Sequence, residues 1–129
     1  MNYSRVIKFS LLLFFSSIIL STLNSFVFGY STINSMWVQY LTGSFWAFLV
    51  YIYLSIKQVE RPYLHAILVT LLLLILDAII GILMHVYIDL EFVLNIYIFS
   101  YFLAFLEVSI GTAVGIKIRK YRFKAEIKT

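Results

Sequence analysis

The chain has 129 residues, of which 63% are hydrophobic and 12% charged, and its formal net charge is +4. A soluble domain of this length would be about half apolar and about a quarter charged, so there is too little polar surface here to cover a water-soluble globule. With no cysteine in the sequence, disulfides, thiolate metal sites and a cysteine nucleophile are excluded.

Four apolar segments follow one another along the chain: residues 6–28, 36–56, 63–85 and 92–116. At 1.5 Å per residue each would reach roughly 31–38 Å, enough to cross a hydrocarbon core with some tilt. The first has a basic start, but it runs past the 7–15 apolar residues of a signal peptide and no clear A-x-A-like site follows it, so it is read as a span. The turn from Lys57 to Pro62 is short, and Pro62 suits the first turn of the third helix, where its missing N–H is not needed. Glu60 is expected to pair with Lys57 or Arg61. Short loops make sequential helices antiparallel neighbours. The expectation is therefore an all-α, polytopic membrane protein: one domain over residues 1–129, folded as a four-transmembrane-helix up-down bundle.

The direction follows from the cations. Arg5 and Lys8 precede the first span, and Lys57 and Arg61 lie between the second and third. Lys117, Arg119, Lys120, Arg122, Lys124 and Lys128 follow the fourth. The connections at 29–35 and 86–91 hold no Lys or Arg, and the second carries Asp89 and Glu91. All ten cations thus fall on one side of a four-span arrangement, whereas three or five spans would scatter them. The positive-inside rule makes that side cytoplasmic, with both termini inside, in a plasma or inner membrane. The basic tail, residues 117–129, is expected to extend the fourth helix and lie against the inner leaflet. There Lys117, Arg119, Lys120, Arg122 and Lys124 would meet anionic lipid headgroups rather than nucleic acid.

Within the spans two acids stand out. Asp77 lies fourteen residues beyond Tyr63, about 21 Å in, and Glu107 lies ten residues before Lys117, about 15 Å in. A charged Asp near the bilayer centre costs at least about 2.5–3.5 kcal/mol. No intramembrane Lys or Arg is available to offset it, so protonation is the cheapest escape. Asp77 is expected to be largely neutral at pH 7, and Glu107 with it. Ser21 and Ser44 fall near the depth of Asp77, Ser17 and Trp46 near that of Glu107, and Asn24 and Gln39 form a layer farther out. These side chains make a polar ladder on which a neutral acid, both donor and acceptor, finds partners. The bland reading of the serines is that each bonds a carbonyl of its own helix. That of the acids is that they join helices.

Gly111 and Gly115 match the close-packing pattern of membrane helices, and seating a neighbour from the same chain is the commoner use. His65 and His85 read as interfacial anchors. Tyr30, Trp37, Tyr40, Tyr63 and Tyr87 read as an aromatic belt. No His or carboxylate spacing suggests a metal site, no cofactor motif is present, and no nucleotide or hydrolase motif points to an enzyme. In size and span count the chain resembles the small multidrug resistance transporters. Those carry their essential carboxylate in the first helix, and this first helix has none, so the resemblance transfers no residue role.

An intramembrane ionisable residue is a functional hypothesis by default. The leading expectation is a small proton- or cation-linked transporter or channel acting as a homo-oligomer, with Asp77 and Glu107 as the site. The first alternative is a non-catalytic accessory subunit of a larger membrane complex. A holin-like or immunity-type membrane protein also fits the size and the basic tail.

Overall fold

A computed structural model describes residues 3–28, 33–88 and 94–126, with side chains left aside at 33–37, 84–85, 88, 94–97 and 124–126. Within these residues the chain is helical apart from the turn at 58–61: α1 is Tyr3–Phe28, α2 Ile33–Lys57, α3 Pro62–Ile88 and α4 Leu94–Glu126. Three of the helices are long and apolar enough to cross a membrane, over Tyr3–Phe28, Pro62–Leu83 and Ile98–Phe123. The 25 residues of α2 are diluted by Gln39, Thr42, Gly43, Ser44 and Ser55. The outer surface is largely apolar, with Phe15, Ile19, Phe45, Ile75, Ile82 and Phe102 exposed. An apolar surface of this extent is unstable in water and is matched by a lipid environment. The connections holding Tyr30, Asp89 and Glu91, and the side chains of Trp37, His85, Lys124 and Lys128, lie outside the described residues.

Contacts between named side chains fix the arrangement. Antiparallel to α1, α2 meets it at several levels. Arg5 bonds Gln58, Phe9 stacks near Tyr53, Trp46 Nε1 donates to Ser16 Oγ at 2.7 Å, and Asn24 donates to Thr42 Oγ1 at 2.7 Å. By contrast, α4 runs parallel to α2. Phe99 lies edge-on to Tyr40, Gly111 sits against Tyr51 and Gly115 against Ser55, and Arg119 reaches Gln58. On the remaining side α1 lies along α3, where Ser10 Oγ donates to the Val69 carbonyl at 3.2 Å.

Around the bundle the order is therefore α1, α2, α4, α3, with α1 and α4 out of contact and α2 and α3 across the diagonal. This departs from the expectation that helices adjacent in sequence are adjacent in space, since α2 and α3 are joined by only four residues, 58–61. The glycines supply the reason. A Cβ added at Gly115 would lie 2.6 Å from the Ile52 carbonyl oxygen and 2.7 Å from Ser55 Cβ. Only glycine lets α4 come this near, and α4 thereby takes the place beside α2 that α3 would otherwise hold.

The first turn of α1, the α2–α3 turn and the last turns of α4 all meet at one end, here called the basic end. Arg61 adopts a left-handed conformation, φ 45°, which is uncommon for a non-glycine residue. Its carbonyl accepts the His65 N–H at 3.2 Å and lies 3.2 Å from His65 Nδ1, so the reversal is held by the first turn of α3. Two partly buried arginines act on the end of α2. Arg119 donates to the carbonyls of Ser55 (3.1 Å) and Gln58 (2.6 Å). Arg5 donates to the Lys57 carbonyl (3.2 Å) and to Gln58 Oε1 (2.6 Å). Carbonyls at a helix C-terminus have no partner within the helix and carry partial negative charge, so two guanidinium groups are well matched to them.

Candidate functional site

The site is built from the stripe of each helix that faces inward. On α3 that stripe runs Ala66, Thr70, Leu73, Asp77, at alternating steps of four and three residues. Ala66 and Thr70 are fully buried, Leu73 is packed against the core, and Asp77 is exposed. Seven residues along one face thus pass from a sealed interior to an open one. On α4 the inward stripe includes Glu107, half-buried, and Val108, buried. On α2 it includes Ser44, Phe48, Tyr51 and Ser55.

Tyr51 is central. It is only 1% exposed, and its hydroxyl lies 2.8 Å from Thr70 Oγ1 across the diagonal of the bundle. Thr70 gives its own proton to the Ala66 carbonyl at 2.9 Å, so in this pair Tyr51 donates and Thr70 accepts. Both Glu107 and Asp77 are within electrostatic reach of the Tyr51 phenol. Ser44 lies near enough to the Glu107 carboxyl to interact with it. Asp77 and Ser44 each lie seven residues, about 10 Å, beyond Thr70 and Tyr51 on their own helices, so the two acids and Ser44, drawn from α2, α3 and α4, stand above the level of the Tyr51–Thr70 pair.

Below that level, toward the basic end, the core is closed. Val50, Leu54, Ala66, Val69 and Val108 fill it, together with buried hydroxyls. Ser10 is doubly engaged, to the Val6 and Val69 carbonyls. The Ser55 and Thr112 hydroxyls are buried with no hydrogen-bond partner among the described residues. An orphaned buried hydroxyl costs about 1–3 kcal/mol, so two in one small bundle require an explanation.

The remaining residues singled out from the sequence separate into groups. Ser17 bonds the Phe14 carbonyl of its own helix at 2.8 Å. Ser17 and Ser21 are not gathered with either acid. They line a groove of about 500 Å³ between α1 and α2, with Thr22, Gln39, Tyr40 and Gly43. Asn24 and Gln39 join α1 to α2, through Thr42 and Ser25. Of the tail cations, Lys117, Lys120 and Arg122 are exposed, whereas Arg119 turns inward onto α2. Arg119, expected at the lipid headgroups, bonds the carbonyls of Ser55 and Gln58 at the end of α2. His65 is buried, at 2% exposure, rather than anchored at the interface, because its ring is bonded within the first turn of α3. No ion pair of Glu60 with Lys57 or Arg61 forms among the described residues. The Glu60 backbone carbonyl instead accepts from Gln58 Nε2 at 2.9 Å. No group of three or more His, Cys, Asp or Glu side chains is gathered among the described residues.

Sequence reasoning missed Tyr51, Ser55 and Thr112. The signal was present: Ser44, Phe48, Tyr51, Ser55 and Gln58 recur at steps of four and three, which marks a partly polar face within an apolar helix. No family model matches the chain, and no curated protein or solved structure matches it either. The site is the ground for a functional reading.

Proposed function

We propose that the chain is a non-enzymatic, four-span membrane protein that moves a proton or small cation through Asp77 and Glu107. The observation that carries this reading is the change along the inward stripe of α3, buried at Thr70 and exposed at Asp77. A carboxyl that merely joined helices would be enclosed by them. This one is exposed, on the same inward stripe as the buried Thr70 and above a closed core.

The fourth span and the orientation belong to the same reading. With α1, α3 and α4 crossing, α2 must cross as well for the α2–α3 turn and the two chain ends to share one face. The cations at that face make it cytoplasmic by the positive-inside rule. The exposed Lys117, Lys120 and Arg122 then meet anionic headgroups. The open level at Asp77 is covered by a second copy of the chain. The Gly111–Gly115 stripe is not the surface for it, since α2 already occupies that stripe.

The test is Asp77→Asn in proteoliposomes under a pH step. The amide keeps the shape and hydrogen bonding of the acid but does not titrate. The expected outcome is normal membrane insertion with loss of proton-linked flux. Unchanged flux, or a wild-type protein with none, would favour an accessory subunit in which the acids serve assembly.

A further inference from the structure

The plug beneath the acids is unlike a hydrophobic seal. Of the nine largest fully buried side chains, six are polar: Ser10, Tyr51, Ser55, His65, Thr70 and Thr112. Three are apolar: Leu54, Val69 and Val108. Four of the polar ones form a sequence of levels along the axis. Tyr51 and Thr70 are bonded to each other at the top. Thr112 lies between Gly111, packed on Tyr51, and Gly115, packed on Ser55, so it falls between the levels of those two side chains. Ser55 lies one helical turn below Tyr51, and its carbonyl is already at the basic end, held by Arg119.

The bonding state of these hydroxyls matters as much as their position. Helical Ser and Thr usually donate to a carbonyl one turn back. Ser10, Thr22, Thr42, Thr70 and Ser109 all do so here. Ser55 and Thr112 do not, although both are completely buried. Each keeps a proton to give and lone pairs to receive one. The Tyr51 oxygen, having donated to Thr70, also has acceptor capacity left.

We infer that the closed half is a proton relay: buried water binds at Ser55 and Thr112 and links the Tyr51–Thr70 pair to the basic end. This rests on the reading of Asp77 and Glu107 as the site, and it narrows the carried species to a proton. Buried water is held by otherwise unsatisfied polar groups, and two such groups are present. In a relay each hydroxyl or water accepts a proton on a lone pair from one side and releases its own to the next. One O–H bond forms as another breaks, and a positive charge advances without an atom crossing. A metal cation has no such means of passing side chains that are fully buried.

Two measurements test this. In the lipid-embedded wild-type protein, water-edited solid-state NMR is expected to show rapid transfer from water to Thr112 and Ser55 and none to Leu54 and Val69. Slow transfer to both hydroxyl residues would overturn the inference whatever the flux. In proteoliposomes, Thr112→Val combined with Ser55→Ala is expected to lower proton flux about a hundredfold, the low end for loss of a positioned proton-transfer group. Thr112→Ser is expected to retain flux. Variants that fold and carry protons at the wild-type rate would remove the relay while leaving Asp77 in place. Wild-type flux driven equally by sodium or potassium would overturn the proton assignment, and a wild-type protein with no flux would overturn the underlying reading as well.

Discussion

Both halves of the bundle are built from apolar helices, yet they pack differently. At the basic end, Val6, Ser10, Tyr51, Leu54, Val69 and Thr112 are all buried. There the α2–α3 turn is clasped by Arg5 and Arg119. At the other end Asp77 is exposed on an inward stripe, and an open groove separates parts of α1 and α2. Glycine marks both regimes. Gly115 has the α2 backbone against it, whereas Gly43 has nothing within 4 Å of where a Cβ would stand. Hydrophobicity therefore does not decide which half closes, since lipid tails are as good a solvent for these side chains as each other. Close backbone approach and capped carbonyls do.

The largest expected effect attacks that close approach. Gly115→Ala would place a methyl 2.6 Å from the Ile52 carbonyl oxygen and 3.2 Å from Ile52 Cα. Backbone atoms cannot swing away as a side chain tip can, so α4 must move off α2. The expected loss is about 3 kcal/mol, the upper end for inserting a methyl into a packed site. Gly43→Ala is the matched control. With open space around it the substitution is expected to stabilise the helix by about 0.5–1 kcal/mol. Denaturation of both variants in mixed micelles reads the contrast, and equal effects would mean that the two halves pack alike.

Next in size is Arg119→Ala. It removes the two donors that hold the Ser55 and Gln58 carbonyls. Hydrogen bonds to a charged group contribute about 1.5–3 kcal/mol, and the half-exposed position of Arg119 argues for the low end. Arg119→Lys is expected to recover only part of the loss, because both bonds come from Nη1, and the shorter lysine side chain ends before that position. Hydrogen exchange at residues 58–61 should rise in step with the destabilisation. A turn that stays protected would show that Arg5 alone suffices.

How much of this was legible depends on the kind of residue. The helices were readable because uninterrupted apolar runs have few alternatives, and the gathering of Arg5, Lys57, Arg61 and Lys117 at one end follows from their alternation with those runs. The importance of Gly111 and Gly115 was readable from spacing, but their partner was not. Choosing α2 over α3 depends on how near two backbones come, and no periodicity encodes that. Depth along each helix placed Ser44 with Asp77, while the structure brings it near Glu107. Depth gives a level and leaves the facing side open, and an error of one helical step brings a different acid into reach. Tyr51 escaped notice because it is one of several aromatic residues in an apolar helix, and its place on the Ser44–Gln58 stripe gains meaning only once that stripe is seen to face the bundle axis.

The smallest expected effects lie on the seam between α1 and α2, and they separate the roles within one bond. Thr42 Oγ1 donates to the Val38 carbonyl at 2.7 Å, so in its bond with Asn24 it can only accept, and Asn24 Nδ2 is the donor. Removing the donor leaves Thr42 still satisfied by its own helix. Asn24→Leu, which keeps the number of side-chain heavy atoms, is therefore expected to cost about 0.6 kcal/mol, the average for a hydrogen bond between membrane helices. Removing the acceptor leaves the Asn24 amide, 9% exposed, with a buried donor and no partner there. Thr42→Val is expected to cost more than Asn24→Leu, by the general asymmetry between losing a bond and stranding a polar group. The order of these two variants carries more information than either size. If Asn24→Leu proved the costlier, the amide would have to be serving a second partner, and the outer half would be held together more firmly than its exposed face implies.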